Sequence, residues 1–224
     1  MTNMTFQRAR SDEQREVRRR AILDTAAAML HEMPVTDVSL NELSRRVGLA
    51  KSNVLRYFES REAVLLELLD YFLQNWLTEL ADELAVGIDA GLPAADRAEQ
   101  LAEVLSRSLA GRVVLCDLFG AQGGVLEHNV SVEVVTRHKR ASLDSLGTMV
   151  DLVRRHVPEL RDGTQTVCMQ AMIMAGALST YCSPPPSVLA VYEAEPALAV
   201  LHVDLRTSLR LAIITAIMGT LPRS

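Results

Sequence analysis

The chain has 224 residues, 49% of them apolar and 23% charged, with a net charge of −5, enough material for a buried core in one large or two modest domains. Three cysteines without C-x-x-C spacing argue against a disulfide framework and a cysteine zinc site, and no run reaches the roughly 20 apolar residues of a membrane span. The N-terminus is polar and Arg-rich with no apolar stretch behind it, so a cytoplasmic location is expected.

Taken in order, residues 1–14 are polar and mixed in charge and read as a flexible arm. A first helix is predicted over about 17–31, with Ile22, Ala26, Met29 and Leu30 as its buried stripe and Pro34 beyond its end. Ser39 followed three residues later by Glu42 predicts a capping box. The helix it opens places Leu40, Leu43 and Val47 on one face. Gly48 supplies a residue able to reach positive φ, so the chain can reverse. A second short helix is predicted over 51–57, with Val54 and Phe58 inward and Lys51, Ser52, Asn53 and Arg56 outward. A short polar helix on a compact helical support suits the major groove of DNA.

Ser60 predicts the N-cap of a long helix over about 61–84, whose stripe from Val64 and Leu65 through Phe72 and Trp76 to Leu84 runs out of the head into the rest of the chain. Further helices are predicted over about 94–110, 113–119, 131–157, 164–181 and 201–218, with Gly123 and Gly124 as a flexible point and the proline-rich 183–187 as a loop. No strand pattern survives, and aromatic residues are only 4%, which favours helix packing over a β-sandwich. The expected fold is all-α: a three-helix head and a helical bundle, about nine to ten helices in total. The last two helices are apolar around most of their circumference, which predicts burial on most faces and hence a homodimer through about 164–181 and 201–218; the centre of a monomeric bundle would leave the same pattern.

Charge is unevenly placed. Residues 1–61 carry +3 and the remaining residues −8, a basic head on an acidic body that suits a protein touching phosphates at one end. The body offers no catalytic constellation: the five histidines are scattered, and no H-E-x-x-H, G-x-S-x-G or phosphate loop occurs. No enzyme, metal site or cofactor is expected. Cys116, Cys168 and Cys182 read as passive thiols in apolar surroundings, with a redox link between Cys168 and Cys182 as the other reading. Phe72, Phe119, Leu126, Met149, Val153, Met169 and Met172 could line a space between the fourth, sixth, seventh and eighth helices, Met being suited to varied apolar ligands, or could be ordinary core filler.

Ser39-Leu40-Asn41-Glu42-Leu43, Val47-Gly48-Leu49, Lys51, Tyr57-Phe58 and Ser60-Arg61-Glu62 together resemble the TetR family of transcriptional repressors, specifically over about 17–65 and architecturally beyond. The resemblance implies a helix-turn-helix DNA-binding domain over 17–77, with its motif at about 39–58, and an effector-binding and dimerisation domain over 78–224. It implies that Ser39 caps the helix and contacts a phosphate, and that Lys51, Ser52 and Asn53 meet base edges and backbone. Tyr57 is implied to contact phosphate, and Arg61 to meet the DNA backbone. Bonds from Asn53 to adenine, or from Lys51 or Arg56 to guanine, are chemically available. Two residues depart from the family pattern. Ala50 stands where a capping hydroxyl is common, at a cost of roughly 1 kcal/mol. Leu55 stands where Tyr is common, and could touch a thymine methyl.

The expected function is a homodimeric repressor on a near-palindromic double-stranded operator, its heads in major grooves about 34–36 Å apart. An unidentified small, largely apolar effector would release it by pivoting the fourth helix. The alternative is a helical ligand-binding or adaptor protein whose head contacts protein in place of DNA.

Overall fold

The computed structural model describes residues 2–182 and 184–222, with side chains described from residue 13 onward. Ten α-helices lie among the described residues: α1 Thr2–Leu30, α2 Leu40–Val47, α3 Lys51–Val54, α4 Arg61–Gly87, α5 Ala94–Ala110, α6 Val113–Ala121, α7 Val132–His156, α8 Thr164–Cys182, α9 Pro186–Ala194 and α10 Leu205–Thr220. No strand occurs among them.

The head forms as patterned. Ile22, Ala26, Met29 and Leu30 of α1 are buried with Leu43, Val54 and Phe58. Gly48 sits at φ 72°, ψ 28°, and the Leu49 N–H reaches back to Ser44 O at 3.0 Å, which closes α2 in the left-handed manner that glycine permits. Ser60 caps α4, its hydroxyl accepting from the Ala63 N–H at 3.1 Å. α4 then runs unbroken for 27 residues, so the residue-77 division falls inside one continuous helix. Its Leu65, Leu69, Trp76, Leu80 and Leu84 are buried against the helices on either side. Trp76 Nε1 donates to Ser108 Oγ at 2.9 Å, and Arg112 donates to the same oxygen and to Glu79 and Glu83. These bonds tie α4 to the end of α5.

Several expectations are corrected. α1 begins at Thr2, so 2–14 is helix and not a flexible arm; nothing in the stretch before Met33 is Gly or Pro, so no residue stops the helix from extending. Only half of the capping box forms. Ser39 Oγ accepts from the Glu42 N–H at 3.2 Å, but the Glu42 carboxylate turns to Arg45 and Arg46. α3 is α-helical only over Lys51–Val54, because tighter bonds from Arg56 N–H to Asn53 O and Tyr57 N–H to Val54 O take over and carry the chain to Phe58; Ala50 offers no capping side chain at its start. Gly123 and Gly124 lie in one π-helical turn, Gln122–Leu126. Of 183–187, Ser183 lies outside the described residues and Pro185 is extended, but Pro186 starts α9. Proline is tolerated at a first helical position because its missing N–H has no partner there anyway. α10 accordingly starts at Leu205, capped by Asp204.

In the body, α5 packs on α4 and α10, and α6 packs on α8. The α6–α8 approach is close enough that a Cβ on Gly176 would stand 2.6 Å from Gly120 N. Among the described residues no single helix is long and apolar enough to cross a membrane; α5 and the segment after it meet that length and composition only as a pair bent by 87°.

Candidate nucleic-acid interface

The outer surface of the head is built by the Gly48 turn, which presents α3 away from the core. Val54 is fully buried, while Lys51, Ser52, Asn53 and Arg56 are exposed and Tyr57 is half-buried. Leu55 is 42% exposed, an apolar side chain among polar ones on the same surface. These six residues are therefore brought together on one short segment. Ser39 is also exposed at the start of α2; its oxygen accepts the Glu42 N–H, which leaves the hydroxyl proton free to donate outward.

Arg61 stands differently. Its Nη1 donates to the carbonyls of Thr36 and Val38 at 3.1 and 3.0 Å, and its Nε to Glu62 at 3.1 Å. The side chain is 21% exposed. The two Nη1 contacts thus hold the loop before α2 to the start of α4, the Nε contact stays within α4, and only Nη2 is left for an external acceptor. The two loop contacts are invisible in sequence, because their acceptors are main-chain carbonyls more than twenty residues away.

Sequence reasoning missed the contribution of α1. Arg19 pairs with Glu67 of α4, and its guanidinium carbon lies 4.8 Å from the centre of the Phe58 ring. Gln14, Arg15 and Arg18 then border a cleft with Arg56 and Tyr57. The Arg-rich composition before residue 20 was the available signal.

The body contains a cavity of about 430 Å³ between α4, α6, α7 and α8. Leu69, Leu73, Phe119, Leu143, Leu146, Met169, Met172 and Ile173 make its apolar wall, and Gln122, Lys139 and Ser142 its polar edge. Of the residues expected to line such a space, Phe119, Met169 and Met172 do. Leu126, Met149 and Val153, fully buried, and Phe72, packed against the core, are not among the residues lining it. Gln122 and Lys139 were missed because a polar side chain carries no periodic signal of facing inward.

The polar edge continues into the protein. Gln122 donates to Glu127 at 2.8 Å and to His138 Nε2 at 3.1 Å, which leaves the imidazole proton on Nδ1, facing Asp70 of α4 at 2.7 Å. Lys139 holds Glu127 at 2.6 Å, and this ammonium and the amide hydrogen bond draw the Glu127 carboxyl below its usual range against the opposing effect of burial. His138 is 2% exposed. A bonded chain therefore runs from the cavity wall to α4, the helix shared with the head. A second link is made where Glu59 accepts the N–H of Ser131, the residue that caps α7.

Among the described residues no group of three or more His, Cys, Asp or Glu is arranged to hold a metal ion. Cys116 and Cys168 are buried and Cys182 half-buried, all as free thiols.

Comparison with known proteins agrees with this geometry. The family model "Bacterial regulatory proteins, tetR family" matches residues 22–68, and "Tetracyclin repressor-like, C-terminal domain" matches residues 71–224. The HTH-type transcriptional regulator EthR of Mycobacterium tuberculosis is 44% identical over 50 residues, a stretch that spans 22% of this chain and 23% of that regulator's length. The fatty acid degradation regulator FadR from Bacillus halodurans shares the fold with a TM-score of 0.52 and 12% identity, over 92% of this chain and 97% of its own. A tetR-family transcription regulator from Shewanella sp. PV-4 superposes with a TM-score of 0.49 and 18% identity, over 92% and 99% of the two chains. With the second family model covering well over half of its length, the chain belongs to the TetR family of bacterial regulatory proteins.

Proposed function

We propose that this protein is a DNA-binding transcriptional regulator that acts as a homodimeric repressor, with a DNA-reading head over 17–77 and an effector-binding, dimerising body over 78–224. The observation that carries the reading is the exposed set Lys51, Ser52, Asn53, Leu55 and Arg56, held out from the core by the Gly48 turn. Asn53 supplies a donor and acceptor pair suited to adenine, and Lys51 or Arg56 donors suited to guanine. Ser39 and Tyr57 contact phosphates, and Arg61 does so only through Nη2.

Dimerisation is supported by α8 and α10. Ile173 is 61% and Leu211 67% exposed, and an apolar groove between the helices is lined by Ala171, Met174, Ala212, Ile213 and Ala216. Such a surface is costly in water at about 25 cal/mol per Å² of apolar area, and two copies closing a four-helix contact remove that cost.

The effector site is the cavity between α4, α6, α7 and α8. Its lining suits a small, largely apolar molecule with one polar group directed at Gln122, Lys139 and Ser142. A ligand that takes a hydrogen bond from Gln122 competes with His138, and so alters the hold of α7 on Asp70 and α4. A preference of about 1–3 kcal/mol for the altered state would change operator affinity about 5–150-fold. No catalytic role is assigned to any residue.

The test is gel shift with an inverted repeat from the DNA upstream of the protein's own gene. Binding that weakens with salt is the expected result, and Asn53→Ala should change the order of preference among operator variants. A purified dimer that binds no duplex at low salt removes the regulator reading in favour of an adaptor whose head meets protein.

A further inference from the structure

A cleft of about 380 Å³ lies beside the reading segment, bordered by Gln14, Arg15 and Arg18 of α1 and by Arg56 and Tyr57 after α3. Among the described residues, three guanidiniums and no carboxylate line it. On α1, at about 100° per residue, Gln14, Arg15, Arg18 and Arg19 fall within one arc of about 140°, and Glu13 and Glu16 fall outside it. The orientation of that arc is set at one edge, where Arg19 pairs with Glu67 and covers the buried Phe58 ring. Arg15 and Arg18, separated by nearly one turn of about 5 Å, therefore stand over the same side of the head as Arg56.

Like charges gathered this closely repel one another, and a polyanion removes that cost. Guanidinium is also the group best matched to phosphate, by its planar fork of donors. We propose that Arg15 and Arg18 form a DNA-phosphate site on α1, which grips the backbone flanking the base pairs faced by Lys51, Asn53 and Arg56. The site rests on the DNA-binding reading and enlarges it: the protein holds duplex through α1 as well as through its helix-turn-helix. Because phosphates are alike in every sequence, the site adds affinity and salt dependence without adding base preference.

The experiment compares the full-length protein with an Arg15→Gln/Arg18→Gln double variant, by fluorescence anisotropy on a 30-base-pair duplex of random sequence, across roughly 50–200 mM salt. Each lost phosphate contact lowers the slope of log affinity against log salt by about 0.9, so the variant should lose about 2 from the slope per head engaged. Its helix content and melting temperature should match wild type, and its order of preference among operator variants should be unchanged. A wild-type slope in the double variant, with Asn53→Ala still altering binding, overturns the α1 site and leaves the DNA reading intact. A changed base preference at an unchanged slope overturns the phosphate assignment. Failure of the wild-type protein itself to bind any duplex is the separate result that removes the reading beneath both.

Discussion

Gly48→Ala is the sharpest test of how the head is aimed. At φ 72°, ψ 28° the residue occupies the left-handed region, and a Cβ built there has nothing within 4 Å. Collision therefore contributes nothing, and the whole cost is the backbone penalty of an L-residue in that region, about 1–2 kcal/mol. Alanine also restricts the unfolded chain, which returns about 0.4–1 kcal/mol. The net loss should be about 1 kcal/mol, or a fall of about 2–4 °C in melting temperature for a chain of this size. Gly48→Asn should cost less, because asparagine visits this region with a smaller penalty. Circular dichroism melts at one fixed protein concentration measure both, since a dimer's melting point depends on concentration. Duplex binding should weaken in the same order, because the Leu49 N–H to Ser44 O closure sets the angle between α2 and α3. An alanine variant as stable as wild type would refute the left-handed turn. An asparagine variant as damaged as alanine would show the cost to be steric.

Ser108→Ala should lose about 1–3 kcal/mol, because the buried Trp76 N–H is left without a partner; urea unfolding followed by the protein's single tryptophan reads it, and a loss below about 0.5 kcal/mol would count against that bond. Gly176→Ala should cost at least the upper part of the usual 1–3 kcal/mol for overpacking, since its Cβ would meet main-chain atoms of Phe119 and Gly120 at 2.6–2.7 Å; uptake of an apolar dye by the neighbouring cavity should change with it, and a neutral variant would contradict the close α6–α8 approach. Arg61→Ala should lower the melting temperature as well as take about 0.9 from the salt slope of duplex binding, because Nε and Nη1 hold Glu62, Thr36 and Val38 while Nη2 is left for a phosphate; a slope change at unchanged stability would refute the intramolecular role. Burial pushes the Cys116 and Cys168 thiols up to about 12. With the folded values above the unfolded ones, their contribution to stability is complete below the unfolded thiol range and is lost as pH rises through about 12. At pH about 8 a thiol reagent should label Cys182 first in the native protein, and equally fast labelling of Cys116 would refute its burial.

Much of this protein is legible in its sequence because the relevant forces are local and periodic. The apolar stripes of α1, α2 and α4, the Ser39 and Ser60 caps and the Gly48 turn follow from neighbours within a few residues, and the polar positions of the reading segment are those left over once Val54 and Phe58 are turned inward. The all-α class follows likewise, since every predicted element carries a period-3.6 pattern and no strand pattern occurs, although the helical start of α1 and α9 were not among the predicted elements. Tertiary structure alone decided which side chains meet across helices. Arg61 bonds to carbonyls that no residue type announces. His138, Gln122 and Asp70 come from three separate segments, and their alignment depends on how α7 settles against α4. Only three of seven proposed cavity residues line the cavity, because apolar periodicity distinguishes inside from outside but not a packed core from a space within it. Arg15 and Arg18 were visible as charge, and became a cleft only once Arg19 fixed the rotation of α1 on Phe58. Spacing along one chain sets a face; the opposing surface that gives the face its chemistry is set by packing.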